Sequence, residues 1–425
     1  MVVLKLFVIP VPIFDQNLAV EAYYFRFQRA ENPIIFDQKL THALDGNIDS
    51  KLFELLDEVG LEPFTTGKPI FVPISNINLL GGLQRKGTIG PPPGSIILRL
   101  DSSVTSEGMY IDAIKKFKAE GYKFALKLPK EFETYRPLLP FMDYIIVDQN
   151  TANKKDAMRL MKEYQTAIFI ATHVNTYNMF NLAKASGYNF LEGRFYRTPI
   201  SFGETEVSPL KMISIQLLNE VHHDDFDIDK VAKLIQNDVA LTVSLLRFVN
   251  SAQGFGQQIN SITHAAAMLG QNEIRKWCST AASTTMASDK PNEINKLSLI
   301  RARFAEQLAV LFKLEKESES LFLMGLFSML DVILDRSTDE ALTLVSVSEN
   351  IKQALVKRKG PYFDVLEFIL LYENCDWTSI SRILILNNIQ PEEVYDVYLG
   401  TLNWYKDLMI SFEQEMPEIV EVPEE

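Results

Sequence analysis

The spacing of apolar residues changes near residue 200 of this 425-residue chain, and this change constrains its fold more than any other feature. Before that point, short apolar runs at 123–128, 144–147 and 167–171 predict buried strands, and stretches with helical spacing such as 151–164 lie between them. Strands that alternate with helices form parallel βαβ units with right-handed crossovers. The pattern therefore predicts an α/β fold, a (β/α) barrel, with the apolar opening 2–14 as a further strand.

Beyond residue 208 the spacing is helical almost throughout, so the second half of the chain is predicted to be all-α. The intervening segment collects proline, glycine and polar residues, and we take it as a linker. The end of the chain is acidic and contains prolines, which predicts disorder. The predicted organisation is a barrel over residues 1–198, a linker over 199–208, a helical domain over 209–408 and an acidic tail over 409–425.

Charge and cysteine content exclude several classes of protein. Non-specific nucleic-acid binding depends on neutralising many phosphates with Lys and Arg, so the net charge of −13 argues against a nucleic-acid partner. Lys5, Pro10 and Pro12 interrupt the apolar opening and argue against a signal peptide or a membrane span. Cys278 and Cys375 lack the paired spacing of a metal site or a disulfide, which is typical of reduced thiols in a cytoplasmic protein.

Three blocks of the helical half resemble a known family. The central block, Ser244–Ala252, is an apolar helical stripe that ends in Asn-Ser-Ala, and it lies between Leu234–Leu241 and Ile262–Gly270. The order and spacing of these blocks resemble the HDOD domain. That domain looks like a metal-dependent phosphohydrolase that has lost its metal ligands, so the resemblance implies signalling. The signature residues expected to hold the fold or a partner surface in shape are Arg247, Asn250 and Ser251.

A second resemblance begins at Pro12–Val20, which is similar to the opening of EAL domains, and especially of fused EAL–HDOD signalling proteins. The resemblance implies a barrel of the type that hydrolyses cyclic di-GMP in active members. When the register is carried along the chain, the family's signature Glu falls on Tyr24 and a metal-binding Glu falls on Arg99, whereas Asp148 keeps its acid. The other ligand and catalytic positions fall on residues without a carboxylate: Pro73, Lys127, Leu128, Ile146 and Asn175.

These substitutions predict a degenerate barrel with no catalytic residue, metal ion or cofactor. Proline and isoleucine cannot ligate through their side chains, and arginine or lysine in place of a carboxylate repels a divalent cation. Barrel sites form where the strands end, so the residues expected to contact any ligand are Arg99, Lys127 and Asp148. Arg99 and Lys127 could meet phosphates there, or they could be solvated or internally paired charges.

The run His222-His223-Asp224-Asp225 looks like a metal motif, because a His-Asp pair is a metal-binding signature of active HD phosphohydrolases. These residues lie between two predicted helices, just before Asp227, which is well placed to cap the second helix. Adjacent loop residues rarely converge on one ion without further ligands, so a polar loop is expected. His264 lies in an apolar helix and is expected to be partly buried.

Three functions remain open at this point. The first is a non-catalytic signalling scaffold that acts through protein–protein interactions, in the control of motility or biofilm that the family resemblance implies. Its partners would be signalling proteins of unknown identity, with a homodimer possible and no membrane partner. The second is a receptor that binds cyclic di-GMP or another nucleotide without hydrolysing it. The third is a metal-dependent phosphohydrolase in the helical half that uses His222, His223 and Asp224.

Overall fold

The computed structural model of the chain describes residues 6–29, 52, 56, 60–65, 67–83, 92–151, 153–199, 207–223, 226–252 and 262–413. The chain divides into two compact units. Met1–Thr198 together with Leu370–Asp396 form the first, called the barrel unit, and Pro199–Ile369 together with Val397–Glu425 form the second, called the helical unit. Most of the predicted linker, and the acidic tail beyond residue 413, lie outside the described residues.

Eight strands close into a barrel in the order of the chain. Neighbouring strands from β2 to β8 are parallel, and β1 is antiparallel to both β2 and β8. The strands are β1 (Leu6–Phe14), β2 (Val20–Arg29), β3 (Ile70–Ile74), β4 (Ile96–Leu100), β5 (Lys123–Lys127), β6 (Tyr144–Asp148), β7 (Ile168–Thr172) and β8 (Phe190–Glu192). The predicted strand 2–14 and the three predicted apolar strands thus correspond to β1, β5, β6 and β7.

The antiparallel first strand departs from a simple alternation of parallel strands, and the turn after it explains why. Asp15 Oδ1 accepts hydrogen bonds from the backbone N–H groups of Asn17 (2.7 Å) and Ala19 (2.8 Å). Leu18 adopts a left-handed backbone conformation with φ 68°. A turn this short can only reverse the chain, because a parallel connection needs a crossover of roughly a dozen residues or more.

Helices connect the parallel strands on the outside of the barrel. The helix Lys154–Glu163 begins at its N-cap Asn153, whose side chain accepts from the Lys155 N–H, and the helix Tyr177–Ala185 begins at Thr176. The first corresponds to the stretch 151–164 that helical spacing predicted. The described helices of this half are Glu62–Thr65, Asn76–Gly81, Gly108–Ala119, Lys154–Glu163 and Tyr177–Ala185, with 3₁₀ helices at Phe132–Phe141 and Phe195–Arg197.

The interior of the barrel is apolar below its mouth. Alternate residues of the strands point inward and form one cluster, in which the rings of Phe71 and Tyr144 meet edge to face with centroids 5.2 Å apart. The members of the cluster are Ile13, Ala22, Phe71, Ile97, Ala125, Tyr144, Ile146 and Ile170. Burial of this layer supports the polar side chains that follow it on the same strands.

The described part of the second half contains helices and no strand, as its periodicity predicted. Asp227 caps the helix Ile228–Gln236 by accepting from the Asp229 N–H, also as predicted. The helices are Pro209–Val221, Ile228–Gln236, Val239–Ala252, Ile262–Met286, Asn292–Leu311, Ser318–Phe327, Leu330–Leu334, Thr338–Thr343, Glu349–Leu355, Pro361–Glu373, Trp377–Asn387 and Pro391–Glu413, with a 3₁₀ helix at Glu315–Glu317. No helix among the described residues combines the length and the apolar character needed to cross a membrane.

Two helices of the helical unit approach each other closely at Gly325. A Cβ atom on this residue would lie 2.4 Å from the Arg301 carbonyl oxygen, and the nearest atoms belong to the backbone of the helix Asn292–Leu311. Phe322, Leu326 and Met329, which share the apolar stripe around the glycine, are all buried. Glycine is therefore required here because a Cβ atom would clash with the neighbouring helix, and not because of its backbone conformation.

Leu370–Asp396 belongs to the barrel unit, a packing that the helical periodicity of this segment did not reveal. Arg197 Nη1, just after β8, lies 2.9 Å from Glu373 Oε2, and both side chains are largely buried. Cys375 adopts a left-handed conformation with φ 56°, and burial raises the pKa of its thiol to about 11 even though Arg26 and Arg194 lie close enough to oppose the shift.

Candidate functional site

The ends of the strands surround a cavity of about 330 Å³ at the mouth of the barrel. Parallel strands deliver the residues at their carboxyl ends to the same rim, which is where barrel proteins build their sites. The lining side chains that carry charge or a polar group are Tyr24, Arg26, Arg99, Lys127, Thr172, His173 and Glu192, above a floor of Ile13, Phe71 and Ile146. Two of the three predicted contact residues, Arg99 and Lys127, therefore line one cavity.

Arg99 is a cation for which the described part of the chain supplies no counter-ion. It lies on β4 between the buried residues Leu98 and Leu100, in register with Pro73 on β3. Its guanidinium carbon is 4.7 Å from the centre of the Tyr24 ring, a distance typical of a cation–π contact. The Nε atom is buried and has no hydrogen-bond partner among the described residues.

Lys127 is held by Asp148, the third predicted contact residue. Lys127 Nζ lies 3.1 Å from Asp148 Oδ2, and His173 Nδ1 lies 3.1 Å from Asp148 Oδ1. The Asn150 N–H also donates to this carboxylate, at 3.1 Å. Burial raises the pKa of Asp148, but the hydrogen bonds from Lys127 and Asn150 and the nearby charges outweigh it, so the pKa is lowered overall. Asp148 is thus an anion that already has its cation.

Glu192, at the end of β8, is the second carboxylate at the mouth. Its Oε1 lies 3.5 Å from Arg26 Nη2, and its Oε2 accepts from the His173 N–H at 3.3 Å. His173 adopts a left-handed conformation with φ 64°, which is uncommon for a residue other than glycine. The backbone strain at His173 is therefore offset by contacts with both carboxylates.

Gly193 sets the distance between the loop after β7, which carries His173, and the end of β8, which carries Glu192. A Cβ atom on Gly193 would lie 1.8 Å from the Val174 carbonyl oxygen. The Val174 N–H donates to the Glu192 carbonyl oxygen at 3.0 Å, and the Phe195 N–H donates to the Val174 carbonyl oxygen at 3.2 Å. Only glycine fits between these hydrogen-bonded segments.

This set of residues does not fit a divalent metal ion. Three permanent cations, Arg26, Arg99 and Lys127, face two carboxylates, and each carboxylate is engaged by one of them. A magnesium site needs several oxygen ligands that converge on the ion. Across the ranges that the structure describes, no group of three His, Cys, Asp or Glu residues is placed to hold a metal.

The other positions carried over from the EAL resemblance do not add a ligand. Pro73 is buried on β3, and Ile146 belongs to the apolar cluster of the barrel. Asn175 is exposed, and its Oδ1 atom accepts from the Arg194 N–H at 3.4 Å. Asn175 therefore has a structural role in the loop after β7.

The HDOD signature lies in the helix Val239–Ala252, whose apolar side chains Leu245 and Val249 are fully buried as the stripe predicted. The side chains of Arg247, Asn250 and Ser251 lie outside the described part of the chain. Their predicted role as a structural element or partner surface stays a prediction.

The His222 side chain points into the helical unit. Its Nε2 atom lies 3.2 Å from Ser279 Oγ, beside a cavity of about 260 Å³ that Arg275 and Lys276 also line. Burial, followed by the charges of Arg275 and His223, lowers the pKa of His222 to about 4, so the ring is neutral at pH 7. His223 is exposed, and Asp224 and Asp225 lie outside the described residues.

One prediction about histidine was wrong. His264 is exposed, not partly buried, although its neighbour Ala265 is fully buried. Adjacent residues of a helix point in different directions, so an apolar neighbourhood in sequence does not bury every member.

Two members of the mouth, Arg26 and Glu192, were not among the predicted contact residues. Glu192 ends a strand of three residues, which is too short to give an alternating or continuous apolar signal. The sequence does contain a usable signal. Glu192 is a charged residue that directly follows the apolar pair Phe190-Leu191 and precedes Gly193, and such a glycine marks the end of a strand.

Comparison with known proteins identifies the helical part. Residues 208–357 match the HDOD domain family. The chain is 26% identical over 420 residues to the uncharacterized protein YuxH of Bacillus subtilis, which covers 96% of this chain and 99% of that protein. It is 27% identical over 331 residues to the cyclic di-GMP phosphodiesterase CdgJ of Vibrio cholerae, which covers 77% of each chain.

Among solved structures, the barrel is similar to an EAL domain protein from Listeria monocytogenes, with a TM-score of 0.35 and 11% identity over 45% of this chain and 87% of that one. The predicted fold class, a closed α/β barrel followed by a helical half that contains the HDOD match, is confirmed. The order of a closed barrel followed by residues that match the HDOD domain family is consistent with an EAL–HDOD fusion.

Proposed function

We propose that this protein is a regulator in cyclic di-GMP-related signalling that does not hydrolyse the cyclic dinucleotide and acts through contacts with other proteins. The similarity to CdgJ, which is named a cyclic di-GMP phosphodiesterase, supports the signalling context. The order of the chain's own parts, a closed barrel followed by residues 208–357 that match the HDOD domain family, supports it as well.

The charge at the barrel mouth is the main support for the proposal that the protein does not hydrolyse the cyclic dinucleotide. Metal-assisted hydrolysis of a phosphodiester needs an ion that activates water and stabilises the charge on phosphate oxygens. The mouth offers Arg99 and Lys127 instead, and the neighbouring carboxylate Asp148 is occupied by Lys127 and His173. A divalent cation placed there would be repelled by two fixed positive charges and would find one carboxylate already paired.

The proposed mode of action follows from what the two parts retain. Both units keep buried cores, including the apolar cluster of the barrel and the closely packed helices around Gly325. Folded modules without catalytic machinery still present surfaces to other molecules. The partners we propose are signalling proteins, including a second copy of the chain, and the charge of −13 argues against a nucleic-acid partner.

A hydrolysis assay tests the proposal. The intact chain is incubated with cyclic di-GMP and either Mg²⁺ or Mn²⁺, and the linear product is quantified by chromatography beside an active phosphodiesterase. We expect no conversion above the protein-free control. Turnover by the intact chain that Asp148→Asn abolishes would contradict the proposal and place the reaction in the barrel, whereas turnover that His223→Ala abolishes would place it in the helical unit.

Capture from the native host tests the mode of action. The full chain, tagged at either end, is used as bait, and partners are accepted when both tagged forms recover them and an unrelated acidic protein does not. Failure to recover any reproducible partner, together with measurable turnover, would overturn a scaffold function.

A further inference from the structure

Two helices on the outside of the barrel, Lys154–Glu163 and Tyr177–Ala185, form a groove with exposed apolar side chains. Each helix buries a core-facing set of its own, yet Met158 on the first helix is 46% exposed and Leu182 on the second is 61% exposed. Together with Met179, they line a cavity of about 100 Å³ between the helices. A continuous strip of exposed apolar side chains is typical of a surface that binds another segment.

Lysines border this groove. Lys154 lines the cavity, and Lys162 lies two turns further along the same face of the helix, with Met158 between them, because residues four positions apart on a helix are neighbours. Lys155 follows Lys154 at the start of the helix, and all three lysines are exposed. The edge of the groove is therefore positively charged, in a chain whose net charge is −13.

The acidic residues of the same helix do not neutralise these lysines. Asp156 lies 3.6 Å from Arg159, and Glu163 Oε1 lies 2.6 Å from Arg136 Nη2. Within the part of the chain that the structure describes, none of the three lysines has an ion pair. Exposed cations around an apolar strip suit a segment that carries carboxylates and apolar side chains together.

The chain itself contains such a segment after the last described residue. Residues 414–425 include five glutamates and neither lysine nor arginine. Apolar residues lie between the glutamates: Met416, Ile419, Val420 and Val422. When extended, a segment of this length spans about 40 Å, whereas the helix that carries the lysines is about 15 Å long. The segment is therefore long enough to place glutamates along the whole basic edge of the groove.

We propose that the groove between Lys154–Glu163 and Tyr177–Ala185 binds the acidic segment 414–425, whose apolar residues contact Met158 and Leu182 while its glutamates pair with the lysines. The segment comes either from the same chain or from a second copy, and the experiment separates these two sources. The proposal goes beyond the proposed function and does not depend on it, because it involves neither hydrolysis nor a foreign partner.

Cross-linking of the full chain with a carbodiimide tests the proposal, because this reagent joins a lysine amine only to a carboxylate in contact with it. We expect Lys154, Lys155 or Lys162 to be joined to glutamates of 414–425 about 5-fold more often than Lys116, an exposed lysine on the helix Gly108–Ala119. In a mixture of ¹⁵N-labelled and unlabelled chains, cross-links of mixed isotope composition assign the segment to a second copy. Cross-links within one isotope alone assign it to the same chain.

Leu182→Ser tests the apolar part of the contact. The yield of these cross-links should fall about 3- to 10-fold, because part of the burial energy of a leucine is lost. The melting temperature should change little, since Leu182 is largely exposed in the barrel unit.

The matched control is Leu386→Ser. Leu386 is 78% exposed on the helix Trp377–Asn387 and does not line the groove, so its replacement should leave the yield unchanged. The proposal is overturned if the three lysines react with the segment no more often than Lys116 does. It is also overturned if Leu182→Ser and Leu386→Ser give equal yields.

Discussion

The barrel unit and the helical unit each contain a cavity, of about 330 and about 260 Å³, but the charges that line the two cavities are satisfied differently. In the helical unit, Arg275 Nε donates to the Val221 carbonyl oxygen at 2.8 Å and Nη1 lies 3.3 Å from Glu319. Lys276 Nζ lies 2.7 Å from Glu306. In the barrel unit, Arg99 has an aromatic ring beside it and no counter-ion among the described residues.

This difference separates structural charges from charges that are available to a ligand. A cation that has internal partners contributes to the free energy of unfolding, and its partners are left unsatisfied when it is removed. A cation without such partners contributes little to stability and is free to neutralise a bound anion. The cavities have similar sizes, so volume alone does not distinguish them.

The largest effect is expected from packing in the helical unit. Gly325→Ala places a Cβ atom 2.4 Å from the Arg301 carbonyl oxygen, and the two helices must move apart. We expect the free energy of unfolding of the helical unit to fall by about 3 kcal/mol, the upper end for overpacking. Urea denaturation followed by circular dichroism measures the loss.

Gly400→Ala is the control for this change, because its Cβ would make only an ordinary contact, 3.5 Å from the flexible side chain of Gln307. The close approach at Gly325 is contradicted if the two alanine variants are equally stable.

A pH dependence of about 2 kcal/mol is expected from His222. Its pKa in the folded protein is about 4, below the ordinary value of 6.5, so below pH 6.5 the unfolded chain binds a proton that the folded chain does not. Stability is complete above pH 6.5 and falls by about 2 kcal/mol between pH 6.5 and pH 5. His222→Gln should remove this slope in denaturation curves recorded across that range.

The barrel responds to acid in a different window. The pKa of Asp148 is lowered from its ordinary value of 3.8, so its ion pairs contribute stability above that pH and lose it only as the pH falls further. We therefore expect the barrel of the His222→Gln variant to keep its stability between pH 6.5 and pH 5. A loss of barrel stability in that range would contradict the separate pH windows of the two units.

The smallest effect compares the two arginines directly. Arg275→Gln leaves the Val221 carbonyl oxygen without its donor and should lower the free energy of unfolding by about 1–2 kcal/mol. Arg99→Gln should change stability by less than about 1 kcal/mol, the value of an exposed cation–π contact. Equal stability losses in both variants would remove the distinction between the cavities.

Much of the barrel mouth could be predicted because the ends of apolar runs in the sequence mark the ends of the strands. Arg99, Lys127 and Asp148 follow or end apolar runs, and parallel strands must deliver such residues to one rim. The sequence did not show that Lys127 and Asp148 contact each other, nor that Arg99 lies on Tyr24, because register and side-chain direction depend on neighbouring strands. Glu192 was missed because its strand of three residues is too short to give a periodic signal.

The packing of Leu370–Asp396 with the barrel unit was not predictable from periodicity. An amphipathic helix shows which of its faces is apolar, but it does not show which partner covers that face. The salt bridge between Arg197 and Glu373 joins residues 176 positions apart, and neither residue carries a local signal of the contact.

The sequence by itself determined the order of strands and helices and the residue pattern that resembles the HDOD domain, because residue identity and spacing are local properties. The tertiary structure decided which charges are paired. Asp148 is paired with Lys127 and contacts His173, whereas Arg99 has no counter-ion among the described residues, although both lie at strand ends in the sequence. Pairing depends on distances of a few ångström between separate strands, and only the closed barrel sets those distances.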